Sequence, residues 1–158
     1  MADRLVVDAT VAGKWFLKDP LETDTDLADD LLIALLAGDV EFYAPRIITY
    51  EVPGLLTRAC LTRPPGTGTA RLAKDQALQC VREFFVLPIQ IVETTGQEAE
   101  AALGLAVDYS KGFYDMTYIR LAQQLDCRWC TADRKVLQAL APGFPSERVL
   151  LLSSLRSP

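Results

Sequence analysis

The chain has 158 residues, half of them hydrophobic and 23% charged, with a formal net charge of −5. This is enough for one sizeable core, so a single domain over residues 1–158 is expected, and the acidic balance excludes a uniformly basic nucleic-acid coat while leaving room for a local basic patch. There is no histidine, which excludes Ser-His-Asp and Cys-His nucleophiles and every histidine-ligated metal, and leaves acid–base or metal chemistry to Asp, Glu, Lys, Tyr or Cys.

Arg4-Leu5-Val6-Val7-Asp8 reads as a buried strand ended by an acid. Ala9 to Leu17 continues as a short helix carrying Trp15 and Phe16, closed by Pro20. Glu22, Asp24, Asp26, Asp29 and Asp30 then load the start of the next helix with negative charge, a solvated face matched to the helix dipole. Leu27, Leu31, Leu32, Leu35 and Leu36 form its apolar stripe, and Gly38 ends it. Val40 to Ala44 is a short strand, and Pro45 suits the first turn of a helix with Ile48, Val52, Leu55, Leu56 and Ala59 inward. Glu51 lies off that stripe, at helical spacing with Ile47, Gly54 and Arg58.

Thr62 to Thr69 is a loop by its proline and glycine content, and it lacks the Gly-Lys-Ser/Thr ending of a phosphate-binding loop. A helix from Ala70 to Phe85 turns Ala73, Ala77, Cys80, Val81 and Phe84 inward, and Pro88 to Val92 is a short strand. Gln97 to Tyr109 repeats the stripe at Ala99, Ala102, Leu103, Ala106 and Val107. The helix from Phe113 to Leu125 buries Tyr114, Tyr118, Leu121, Ala122 and Leu125, with Asp115 in its first turn. Cys127 to Cys130 is a strand that runs into Thr131-Ala132-Asp133, followed by a helix to Leu140 and a last strand from Val149 to Leu152. Alone, Asp133 reads as a helix cap.

Of the four cysteines, Cys127 and Cys130 have C-x-x-C spacing. On a strand an offset of three puts the two side chains on opposite faces, so core packing is the simpler reading. The longest strongly apolar run, Leu31 to Ala37, is far short of a membrane span. Asp3 stands beside the first strand, so no signal peptide and a cytoplasmic location are expected.

Strands alternating with helices predict an α/β fold, a three-layer α/β/α sandwich on a mainly parallel sheet. Right-handed crossovers put the strand carboxyl ends on one edge. Asp8 and Asp133 emerge there, and helices starting on that edge bring Glu51 and Asp115 close. Two unit charges ~4 Å apart repel by about 4 kcal/mol at an effective dielectric of roughly 20. Four clustered acids therefore call for a cation, and oxygen-only ligation suits Mg²⁺ or Mn²⁺. Such ions support phosphodiester hydrolysis.

The pattern resembles the PIN-domain ribonucleases, most closely the VapC-type toxins of prokaryotic toxin–antitoxin pairs. The resemblance rests on Val6-Val7-Asp8-Ala9-Thr10-Val11, Ala44-Pro45 followed by Tyr50-Glu51-Val52, Tyr114-Asp115-Met116-Thr117-Tyr118 and Thr131-Ala132-Asp133-Arg134. It implies an endoribonuclease in which Asp8, Glu51, Asp115 and Asp133 bind Mg²⁺ or Mn²⁺, Thr131 supports the site, Thr10 assists near Asp8, and water is the nucleophile. It also implies a homodimer and a small antitoxin partner whose chain enters the site. Lys14, Arg46, Arg58, Arg134 and Lys135 are candidates for RNA contact by their proximity along the chain.

Two positions depart from the family pattern. Gly54 stands where the family usually has Asn, next to Pro53, and Gly112 stands where Ser or Thr is common. A proline inside a helix removes a backbone bond, so either a bend or a later helix start would shift Glu51. The alternative reading is a catalytically weak or inactive PIN-like module acting through RNA or protein binding. A phosphatase with Asp8 as nucleophile fits less well, because Thr10 stands where its second acid belongs.

Overall fold

The sheet orders the whole chain. A computed structural model describes residues 2–62 and 68–156. Its strands are β1 (Asp3–Val7), β2 (Val40–Pro45), β3 (Gln90–Val92), β4 (Arg128–Thr131) and β5 (Val149–Leu151). They lie in the order β3-β2-β1-β4-β5, and all four pairings are parallel. The helices are α1 (Ala9–Ala12), α2 (Thr25–Ala37), α3 (Ile48–Cys60), α4 (Lys74–Val86), α5 (Gly96–Tyr109) and α6 (Phe113–Gln124).

From β1 the chain steps outward to β2 and β3, then returns past β1 to β4 and β5. With right-handed crossovers, this reversal puts α1–α4 on one face and α5 and α6 on the other. The expected three-layer α/β/α sandwich is therefore the observed one. Adjacent strands β1 and β4 send their crossovers in opposite directions, and this opens a crevice at their carboxyl ends.

Burial on both faces explains why the inner strands read as continuous apolar runs. Val6, Val7, Phe42, Ala44, Trp129 and Cys130 are all buried. Trp15 stacks on Phe42 with ring centroids 6.1 Å apart and donates its indole N–H to the Ala28 carbonyl at 2.8 Å. Cys127 and Cys130 are both buried free thiols, as packing residues would be. Burial pushes both thiols up, Cys130 to about 12.

Several local expectations are corrected. The helix expected from Ala9 to Leu17 is divided into α1 and a 3-10 turn, Gly13–Trp15. A Cβ on Gly13 would stand 3.0 Å from Leu55 Cδ1, so the glycine admits α3 closely here. Pro45 ends β2 rather than opening α3, which starts three residues later at Ile48 with Pro53 inside it. The helix expected at Ala70 begins at Lys74, and of its inward set only Phe84 is fully buried. The helix expected between Asp133 and Leu140 is only a 3-10 turn, Arg134–Leu137, and Ala139 at φ 48° lies where it was expected to continue.

Leu36, Ala73, Leu103 and Val107 are exposed and break the predicted stripes. Tyr114, expected inward, is 58% exposed. Nor are the acids around α2 simply solvated. Glu22 pairs with Lys14 and Arg71, Lys18 with Asp29, and Arg156 with Asp24 and Asp26. Most of the loop expected at Thr62 to Thr69 lies outside the described residues. Among the described residues, no helix is long and apolar enough to cross a membrane.

Candidate active site

The β1–β4 ladder continues one residue past β1. The Asp8 N–H donates to the Cys130 carbonyl at 3.0 Å, which fixes Asp8 at the mouth of the crevice. Thr131, the fully buried last residue of β4, donates its hydroxyl to Asp8 Oδ2, and Thr10 donates to the same oxygen at 2.8 Å. In return the Ala132 N–H donates to Thr10 Oγ1 at 3.0 Å, and the Asp133 N–H to Thr131 Oγ1 at 3.1 Å. Two threonines thus stitch the ends of β1 and β4 together beneath the acids.

Asp133 does cap the 3-10 turn Arg134–Leu137, since its Oδ1 accepts from the Lys135 N–H at 2.8 Å. It also faces the crevice, so the cap and the candidate site residue are the same side chain. Glu51 enters from the first turn of α3, and its Oε2 accepts the Tyr118 hydroxyl at 2.5 Å. Asp115 enters from the first turn of α6. Gly112 caps this helix without a side-chain bond, and a Cβ there would meet Asp115 Oδ2 at 3.4 Å, an ordinary contact.

All four acids line one open cleft of about 330 Å³, together with Thr10, Tyr50, Gly54, Leu55 and Arg58. Thr131 does not line the cleft itself but bonds Asp8 and Asp133, which do. Burial pushes the Asp8 carboxyl up to about 6, against the pull of the two threonine hydroxyls and with the charge of Glu51 adding to the rise. Burial also raises Glu51, with the Asp115 charge adding and the Tyr118 hydroxyl opposing. Asp115 is raised by burial and then by Asp133. Burial dominates these rises and neighbouring acids add to them, while Arg58 opposes the rise of Glu51 and Lys111 that of Asp115.

That donor set suits a hard divalent cation such as Mg²⁺ or Mn²⁺ in chemistry. The side chains are not drawn into a ready-made cage, however. Among the described residues, no three Asp, Glu, Cys or His side chains are grouped closely enough to hold a metal ion.

Of the five basic candidates, only Arg58 lines the cleft. Lys14 is buried, and its ammonium donates to Glu22 at 3.0 Å. It forms the floor of an adjoining depression that shares Thr10, Leu55 and Asp133 with the cleft. Arg46 pairs with Glu93 and does not line the cleft. Arg134 is exposed, 3.9 Å from Asp24, and Lys135 is exposed. Two site residues were not anticipated. Tyr118 read as core, although its phenol oxygen on an apolar stripe was a signal, and Tyr50 lines the cleft while 69% exposed.

No protein-family model and no curated protein matches the sequence. Solved structures do match the fold. VapC20 of Mycobacterium tuberculosis, a Sarcin-Ricin loop cleaving toxin, aligns with a TM-score of 0.61 at 12% identity, covering 87% of this chain and 96% of its own. VapBC2 of Rickettsia felis, bound to a DNA fragment from its promoter, gives a TM-score of 0.62 at 13% identity over 94% and 98% of the two chains. PAE2754 of Pyrobaculum aerophilum gives 0.63 at 16% identity over 98% and 86%. At these identities the likeness is one of architecture: the chain has the fold of VapC proteins.

Proposed function

We propose that this chain is a Mg²⁺- or Mn²⁺-dependent endoribonuclease, the toxin of a toxin–antitoxin pair. The observation that carries this reading is the convergence of Asp8, Glu51, Asp115 and Asp133, from four separate elements, on one cleft at the β1–β4 crevice. The four acids would hold the cation, which supplies an activated water and stabilises the leaving oxygen when bound. Thr131 and Thr10 orient Asp8 by donating their hydroxyls to its Oδ2. Asp133 is held by its own cap bond, and Arg58 is placed to neutralise a phosphate.

The test is cleavage of RNA in Mg²⁺ or Mn²⁺, its loss in EDTA, and its loss in folded Asp8→Asn and Asp115→Asn proteins. Cleavage that survives EDTA and both substitutions would exclude the reading. One observation favours the alternative, an inactive module acting through RNA or protein binding: the acids do not form a ready-made cage. Titrating Mn²⁺ by calorimetry separates the two, since a module of that kind has no site tighter than millimolar.

We further propose a single domain working in the cytoplasm as a homodimer with a small antitoxin. Exposed Ile33 and Leu36 on α2, and Leu61 beyond α3, give apolar surface for such contacts. Co-expression with the neighbouring reading frame, followed by size-exclusion chromatography, tests this. A stable monomer that forms no complex would exclude it.

A further inference from the structure

Glu51 stands in the first turn of α3. Pro53 lies two residues further along inside α3. Having no N–H, it cannot bond the Thr49 carbonyl, so the turn that carries Glu51 lacks one of its backbone ties. Anchorage comes instead from the opposite side of the sheet. The Tyr118 hydroxyl, 67 residues away, donates to Glu51 Oε2 at 2.5 Å. The ring behind that hydroxyl is 1% exposed and stacks on Trp129, with centroids 5.6 Å apart and planes at 16°. Trp129 is in register with Val6 of β1. Two residues on from this pair the same strands deliver Asp8 and Thr131, so Tyr118 stands on the slab that holds them.

A phenylalanine would fill this buried space equally well, and a phenol there is costly unless its hydroxyl finds a partner. Its partner is the carboxylate, and the bond occupies one oxygen and leaves Oε1 for other contacts. We propose that Tyr118 is a positioning residue for Glu51: its hydroxyl holds that carboxylate in the cleft with Asp8, so that α3 tolerates a proline beside its acid. This rests on the metal-site reading of the cleft. Hydrogen-bonding partners of ligating carboxylates typically change metal affinity by ~10–100-fold when removed.

The experiment is Mn²⁺ calorimetry on wild type, Tyr118→Phe, Glu51→Gln and the double variant, each checked for folding by circular dichroism. Tyr118→Phe is expected to weaken Mn²⁺ binding by about tenfold or more, with no further loss when added to Glu51→Gln. Wild-type affinity in Tyr118→Phe, or an equal loss in the Glu51→Gln background, would overturn the proposal. Should wild type take up no Mn²⁺, the metal reading falls, and crystals of wild type and Tyr118→Phe in EDTA decide the positioning role. A Glu51 carboxylate turned away in the variant supports it; an unmoved one overturns it.

Discussion

Thr131, the last residue of β4, donates its hydroxyl to Oδ2 of Asp8, the residue just past β1. The bond joins the two strands whose crossovers diverge, and it satisfies a carboxylate that is only 7% exposed. Thr131→Val keeps the shape and removes the donor. Losing one partner of a buried acceptor costs about 1–3 kcal/mol, so urea unfolding in EDTA at neutral pH should show that loss. An unchanged midpoint would mean that the bond does not stabilise the fold.

Asp8 also sets a pH dependence. Its carboxyl rises from 3.8 to about 6, chiefly by burial, so the folded chain binds this proton more tightly than the unfolded chain does. Its contribution to stability is therefore greatest below the unfolded value and declines as pH rises through this window, with the loss complete above pH 6. Asp8→Asn should raise the unfolding free energy at pH 7, in EDTA, by at most about 3 kcal/mol. The advantage should vanish by pH 4. A variant less stable than wild type at pH 7 would contradict this.

Arg58 is the one basic side chain among the cleft-lining residues described. Arg58→Ala should weaken RNA binding measured by anisotropy in EDTA. It should also make the slope of log affinity against log salt shallower by about 0.7, the contribution of one phosphate contact on a single strand. By contrast, Lys14→Met should leave RNA affinity unchanged and lower the melting temperature, because Lys14 is buried against Glu22.

Pro53 stands inside α3, two residues beyond Glu51. Pro53→Ala restores an N–H for Thr49 and should stabilise the fold by about 1–3 kcal/mol. With Tyr118 holding the carboxylate, RNA cleavage should stay within twofold, on the order of 0.4 kcal/mol of activation free energy. A large drop in cleavage by a folded Pro53→Ala protein would mean that the proline itself places Glu51.

The alternation of strands and helices, the parallel sheet and the four acids of the cleft were all legible in the amino-acid order. Those are local properties: an apolar run such as Leu5-Val6-Val7, a helical stripe such as Ile48, Val52 and Leu56, and an acid at the end of a run are visible within one turn or strand. Element ends were less legible, because the 3-10 turns at Gly13 and Arg134 depend on what packs against them. Which charges were free was a matter for the assembled layers. Lys14 is tied to Glu22 and Arg46 to Glu93, while Arg58 lines the cleft. Tyr118 is the clearest case. Its ring belongs to the stripe predicted for α6, but its hydroxyl has a role only because the fold brings Glu51 to it from 67 residues away. A pattern of neighbours along the chain carries no record of such a pairing, since its energy comes from burial and geometry that exist only once the layers have closed.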